Sequence, residues 1–313
     1  MKSPNHCIPI FVFSILCCFS AFAVADVFPI SMVDATPSAL PDYMDNLIAG
    51  PGTQASTQPL IQPQTSVERS IAEFIGHFSA YEPMYFIAGP VNPLVKFQFS
   101  FKYKLFNDDA PLAKEIPLIA GLHFSYTQLA LWQLTQPTSA FYDTNYKPEF
   151  FFSNEDIKQF KLPLVSQFGL QTGIGHESNG RGNADERAIN YLFFRPIFDF
   201  GNTEDFHFYI APKAYVYIFS LSDNPDIQHY RGYCDLRTAV GWRQGLELSF
   251  LGRIGSNYNK GSVQFDLTYP IRDLLNHNLD LYLDLQYFNG YGESLIDYNH
   301  RTSAFRVGFA LAR

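Results

Sequence analysis

The chain is 313 residues long, with 30 acidic against 22 basic side chains, 17% charged residues and 17% aromatic ones, including 31 Phe and 19 Tyr. The acidic balance argues against nucleic acid as a partner, 47% hydrophobic residues are too many for disorder, and a mean hydropathy near zero excludes a bundle of apolar membrane helices. Few charges and many aromatics in a chain that is only weakly apolar describe the transmembrane β-barrel.

The one long apolar run comes first. Lys2 precedes Ile8–Phe22, and Ala23, Val24 and Ala25 precede Asp26, which reads as a secretory signal peptide over residues 1–25 with an A-x-A cleavage site. Pro9 suits an uncleaved anchor poorly, and Leu16 before Cys17 suits a lipoprotein signal poorly. Cleavage would remove Cys7, Cys17 and Cys18, leaving Cys234 alone and no internal disulfide. Residues 26–75, rich in Pro, Ser, Thr and Gln, read as a flexible N-terminal segment.

Over residues 76–313 the pattern changes to period two. Val95, Phe97, Phe99, Phe101, Tyr103 and Leu105 alternate with Lys96, Gln98, Ser100, Lys102 and Lys104, as in a strand with one apolar face. Further strands are expected near Leu118–Thr127, Val165–Ser178, Phe206–Phe219, Val263–Tyr269, Leu279–Tyr287 and Ala304–Leu311. Turn-rich stretches at Asn107–Ala113, Thr135–Lys147, Ser222–Ile227 and Ile271–Asn278 separate them. Alternation alone fits a soluble sandwich as well as a barrel. Strands of about ten residues, the length a tilted strand needs to cross a bilayer, with no helical pattern between them, favour the second of these all-β folds, a transmembrane antiparallel β-barrel of about 12 strands. Lys96, Lys102, Asp280 and Asp284 would then form a polar interior, with Trp132 and Trp242 in aromatic girdles.

The chemistry concentrates in Ser166–Gly180. Phe168, Leu170, Thr172, Ile174, His176 and Ser178 share one strand face, which in a barrel is the lipid side. An imidazole and a hydroxyl are costly there unless they pair or serve a function, and two residues apart on one face their backbones lie about 7 Å apart. Ser beside His is the pairing of a nucleophile with its general base, and Asn190 on the next strand offers an orienting group without charge. A polar pair at a barrel rim is the plainer alternative. His123, His207, His229 and His277 lack metal-ligand spacing, and Glu177 and Glu186 read as rim charges.

The run GHESNGRGNADERAIN, which holds His176, Ser178, Asn179, Gly180, Arg181 and Asn190, resembles the active-site stretch of the outer membrane phospholipase A family. So do YTQLALWQL with TNYKPEFFF, and GYGESLIDYN, spread from Tyr126 to Asn299. The resemblance implies a twelve-stranded barrel of the bacterial outer membrane that hydrolyses phospholipid acyl esters (sn-1 and sn-2), needs calcium (Ca2+) and works as a homodimer. It makes Ser178 the nucleophile, His176 the base and Asn190 its orienter. The oxyanion would be held by a backbone amide at Ser178 with calcium-bound water, and the Arg181 carbonyl would bind the metal. Four positions depart from the family pattern: Glu186 and Ala130 stand where hydroxyl residues are expected, Tyr191 where Arg is usual, and the chain ends Leu311, Ala312, Arg313 rather than on an aromatic residue. A carboxylate is a good hard-cation ligand, so Glu186 is expected to replace the missing hydroxyl. The competing reading of these departures is a non-enzymatic barrel, a channel or structural protein that kept the scaffold.

Overall fold

The computed structural model describes residues 74–135, 141–158, 162–201, 205–271 and 281–313. The expected signal peptide and all but the last two residues of the 26–75 segment lie outside the described residues. The strands are β1 (Phe78–Ala80), β2 (Met84–Ala88), β3 (Val95–Lys104), β4 (Leu122–Trp132), β5 (Phe141–Asn154), β6 (Val165–Ser178) and β7 (Ala188–Gly201). They continue with β8 (Phe206–Ile218), β9 (Cys234–Trp242), β10 (Glu247–Ile254), β11 (Gly261–Pro270), β12 (Tyr282–Gly290) and β13 (Thr302–Ala312). Each pairs antiparallel with its neighbours, and because β13 pairs with β2 and β3 with β4, the strands β2 to β13 close into a ring of twelve.

The short β1 runs along the same edge of β3 as β2. Phe78 lies opposite Tyr103 and Tyr85 opposite Gln98, so the register shifts by two residues between them. Tyr81, Glu82 and Pro83 leave the ladder at this break and line cavities inside the barrel.

Two expected boundaries move. Pro117–Gly121 forms a 3-10 turn and the strand begins only at Leu122, since a proline cannot donate to a ladder. The stretch Thr135–Lys147 is strand from Phe141 onward. Its turn-like Asp143 and Asn145 are buried, alternating with half-buried Tyr142, Thr144 and Tyr146, so these polar residues mark a lumen-facing row rather than a loop.

Burial separates barrel from sandwich. Phe99, Phe124, Phe150, Ile174, Leu192, Phe194, Phe305 and Phe309 are exposed, while Lys96, Ser100, Ser125, Glu149, Gln171, Arg195, Asp284, Gln286 and Arg306 are buried. A soluble sandwich would bury the first set; an outward apolar band around a polar interior is the membrane-barrel arrangement. Several interior charges are paired: Glu82 with Arg195 at 2.9 Å and Arg237 at 2.8 Å, Asp235 with Arg253 at 2.9 Å, and Glu293 with Arg306 at 2.6 Å. Glu177, expected as a rim charge, is instead inside the barrel, 3.1 Å from Arg231 and 3.4 Å from Lys147. Lys96 and Asp284 are buried as expected, Lys102 pairs with Glu155, and Asp280 lies outside the described residues.

The loops at the β6–β7 end fold back over the barrel mouth. Ile227 from the β8–β9 loop, and Leu295 and Tyr298 from the β12–β13 loop, pack on Phe151, Ile189, Tyr191, Phe193 and Tyr215 to form an apolar plug. At the opposite end Arg313 donates to the carbonyls of Trp242, Arg243 and Gly245 and to Thr268 Oγ1. Arg313 therefore ties the β9–β10 turn to the barrel through its guanidinium.

Candidate active site

Strands β6 and β7 form one hairpin, and its register places His176 opposite Asn190 and Ser178 opposite Ala188. Period two sends Gly173, Gly175 and Glu177 inward with Ile189, Tyr191 and Phe193. Ile174, His176 and Ser178 point outward with Asn190, Leu192 and Phe194. Ile174, Leu192 and Phe194 are exposed to the lipid side, whereas His176, Ser178 and Asn190 are half-buried among them.

His176 Nδ1 lies 2.8 Å from Asn190 Oδ1. An amide oxygen only accepts, so Nδ1 is the donor in this contact, and in a neutral imidazole that tautomer puts the lone pair on Nε2. Ser178 shares the outward face with one residue between, and no hydrogen bond joins its hydroxyl to the imidazole in this structure. Contacts of this kind commonly tighten when substrate arrives. Tyr191 does not disturb the arrangement, because it points into the barrel and donates to Glu149 Oε1 at 2.7 Å.

The loop after Ser178 carries the two expected metal ligands. Arg181 is fastened by its guanidinium to the Tyr142 carbonyl, so its own carbonyl stands on a braced stretch of chain. Neither that carbonyl nor the exposed Glu186 carboxylate has a hydrogen-bond or ion-pair partner among the described residues. Ala130 lies on β4, opposite Phe97 and Thr144 and fully buried, two strands from Ser178. No group of three or more His, Cys, Asp or Glu among the described residues is arranged to hold a metal. His123 bonds the Gly121 carbonyl at 2.8 Å and His207 bonds Glu247 at 2.8 Å.

Two features of this loop escape a reading by strand period. Ser178 still has ladder partners on both sides, Tyr146 and Ala188, whereas the exposed Gly180, at φ 64°, has an N–H with no acceptor among the described residues. Asn179, only 4% exposed, bonds three loop groups through its side chain. The visible signal was the Asn-Gly dipeptide after a strand, a turn marker.

The Phospholipase A1 family model matches residues 76–311. The chain belongs to the phospholipase A1 family. Its relatives include Phospholipase A1 of Salmonella typhimurium, 34% identical over 69% of each chain, and that of Escherichia coli strain K12, 33% identical over the same shares. Among solved structures, outer membrane phospholipase A from Escherichia coli superposes with a TM-score of 0.63 at 27% identity, covering 75% of this chain and 98% of that one. The calcium-bound dimer of the Salmonella typhi outer membrane phospholipase gives 0.62 at 28% identity, covering 75% and 92%. This family member is a phospholipase, and its closed ring and apolar outer belt make it a multi-pass β-barrel of the outer membrane.

Proposed function

We propose that this phospholipase hydrolyses phospholipid acyl esters at an outward-facing Ser178–His176–Asn190 site, with calcium, as a homodimer. The observation that carries the reading is the 2.8 Å His176 Nδ1 to Asn190 Oδ1 contact on the lipid-facing side of the barrel, which leaves Nε2 as a base on the same stretch of face as the Ser178 hydroxyl.

Ser178 Oγ attacks the ester carbonyl carbon while its proton passes to His176 Nε2, and the carbonyl π pair becomes an oxyanion. Collapse breaks the C–O bond, and the leaving lysophospholipid oxygen takes the proton from His176. Water then repeats the sequence on the acyl-enzyme, with His176 again as base, and releases the fatty acid. The unspent Gly180 N–H is the amide available to the oxyanion, in place of the expected one at Ser178. Asn190 holds the tautomer without adding charge. Because the site lies on an open face rather than in a pocket, either ester of a membrane lipid reaches it, so both sn-1 and sn-2 (A1 and A2) cleavage are proposed.

The free Arg181 carbonyl and Glu186 carboxylate are hard oxygen donors that suit calcium, which when bound would stabilise developing negative charge. With few ligands in one chain, oxygen atoms from water or a second subunit must complete the set. The dimeric, calcium-bound state of the Salmonella typhi relative supports extending both features to this chain.

The test is fatty-acid release by the detergent-purified protein with calcium or chelator. Ser178→Ala and His176→Ala should lower turnover by about 10³-fold or more with folding retained, and Asn190→Ala by less. Glu186→Ala should raise the calcium concentration for half-maximal release. Near wild-type release by Ser178→Ala would remove the mechanism, and an unchanged calcium titration would remove Glu186 as a ligand.

A further inference from the structure

At the base of the β6–β7 hairpin, Asn179 continues the register opposite Arg187. An antiparallel hydrogen-bonded pair exchanges two main-chain bonds, and here the first is normal: Asn179 N donates to Arg187 O at 3.1 Å. The return bond is not. Arg187 N donates to the Asn179 side-chain oxygen, Oδ1, at 3.0 Å instead of to the Asn179 carbonyl. The same Oδ1 accepts from Arg181 N at 3.3 Å, and Asn179 Nδ2 donates to the Asp185 carbonyl at 2.8 Å.

This substitution has a geometric consequence. The Asn179 carbonyl and the Gly180 N–H belong to one planar peptide unit. If the carbonyl were held by Arg187 N, that plane would lie in the sheet. With Oδ1 taking its place, the plane is released from the ladder and Gly180 turns through a φ of 64°. A side chain there would meet the Tyr146 ring at 2.9 Å, so glycine is required. The Gly180 N–H is thereby left unspent and exposed, two residues from the nucleophile.

We propose that Asn179 is a positioning residue for the hydrolytic reaction: its side-chain amide replaces its own main-chain carbonyl in the hairpin and so presents the Gly180 N–H to the oxyanion. This rests on Ser178 being the nucleophile. Asn179 touches no reacting atom; it acts by setting one peptide plane.

The experiment compares wild type, Asn179→Ala and Asn179→Ser in mixed micelles, with folding checked by heat-modifiable electrophoretic migration. Four quantities are read: kcat and KM on phospholipid, inhibition by a long-chain alkyl trifluoromethyl ketone, and inhibition by a non-hydrolysable diether phospholipid. The ketone adds Ser178 Oγ at its carbonyl carbon and places an oxyanion at the site, with the proton on His176; the diether lipid only binds. Loss of an oxyanion donor costs about 10²–10³ in kcat, so a misaligned donor in Asn179→Ala should lower kcat and ketone affinity together by about 10- to 100-fold. KM and diether inhibition should stay within about twofold, since ground-state binding is not at issue. Asn179→Ser, whose hydroxyl replaces the amide more weakly, should fall between, and serves alone if the alanine variant does not fold. Ketone affinity and kcat unchanged in the folded variants, or falling in step with diether affinity, would overturn the proposal. A wild type that the ketone does not inhibit, or a Ser178→Ala variant that still turns over, would instead overturn the nucleophile assignment beneath it.

Discussion

Tyr191 follows Asn190 in the chain but serves the other side of the sheet. Its ring lies across Gly175, where a Cβ would come within 2.5 Å of ring carbons, and its hydroxyl bonds Glu149 at 2.7 Å. Glu149 also accepts from Tyr81 at 2.7 Å and from Lys213, so the ring cannot swing away without leaving a buried carboxylate short of a donor. Gly175 is therefore glycine because Tyr191 is tyrosine, and each adjoins one member of the His176–Asn190 pair in the chain. Gly175→Ala should destabilise the barrel by about 1–3 kcal/mol, the usual cost of overpacking. Adding Tyr191→Phe should recover part of that loss, because an untethered ring can tilt. Urea unfolding in detergent, followed by tryptophan fluorescence, gives both numbers; an unchanged midpoint for Gly175→Ala would mean that the ring is not pinned.

At the level of strands and loops, period two revealed what depends on near neighbours in the chain. Val95–Lys104 was legible because apolar and polar residues alternate without interruption, and His176 with Ser178 were placed on the outward face by the same count. Asn190 needed one more step, the register of a hairpin, and it came out opposite His176. What stayed hidden depends on distant partners. The break at Tyr81–Pro83 follows from interior packing, and the depth of Glu177 follows from Arg231, carried on a loop that folds back into the mouth. The role of Asn179 was invisible because its partners are main-chain amides.

The β12–β13 loop is held by such a distant contact. Glu293 reaches Arg306 at 2.6 Å and Lys96 at 3.4 Å. Burial alone would raise its carboxyl, but the Lys96 ammonium and Arg306 guanidinium more than offset that and hold it below the ordinary value of 4.5. A carboxyl depressed on folding contributes stability that is present above its unfolded value and lost as pH falls through the folded one. Glu293→Gln should therefore cost about 3–5 kcal/mol near neutral pH, as expected when one partner of a buried pair is removed. The gap between variant and wild type should close as pH falls below about 4.5. Unfolding measured across that range checks both the size and the sign, and a gap that widens on acidification would contradict the pairing.

For the whole molecule, the crowded interior favours the proposed placement of the chemistry on the outer face. Ion pairs cross the lumen at Glu82, Glu149, Glu177 and Glu293, and the apolar plug of Ile227, Leu295 and Tyr298 closes the mouth above them. The spaces between include cavities of about 100 Å³, 50 Å³ and 220 Å³, while a larger one of about 480 Å³ lies toward the Arg313 end. A conducting barrel needs a continuous water-filled lumen, and here, among the described residues, the lumen is crossed by paired charges whose separation would leave them buried and unpaired. The channel alternative thus meets a physical obstacle independent of any altered metal ligand. The protein reconstituted in a planar bilayer should show no stepwise ohmic conductance, under conditions in which the same preparation releases fatty acid from phospholipid. Stable porin-like steps from folded protein would show that the plug opens and would restore the channel as its function. Silence with turnover leaves the outer face as the working surface and the filled interior as the rigid frame that holds β6 against β7.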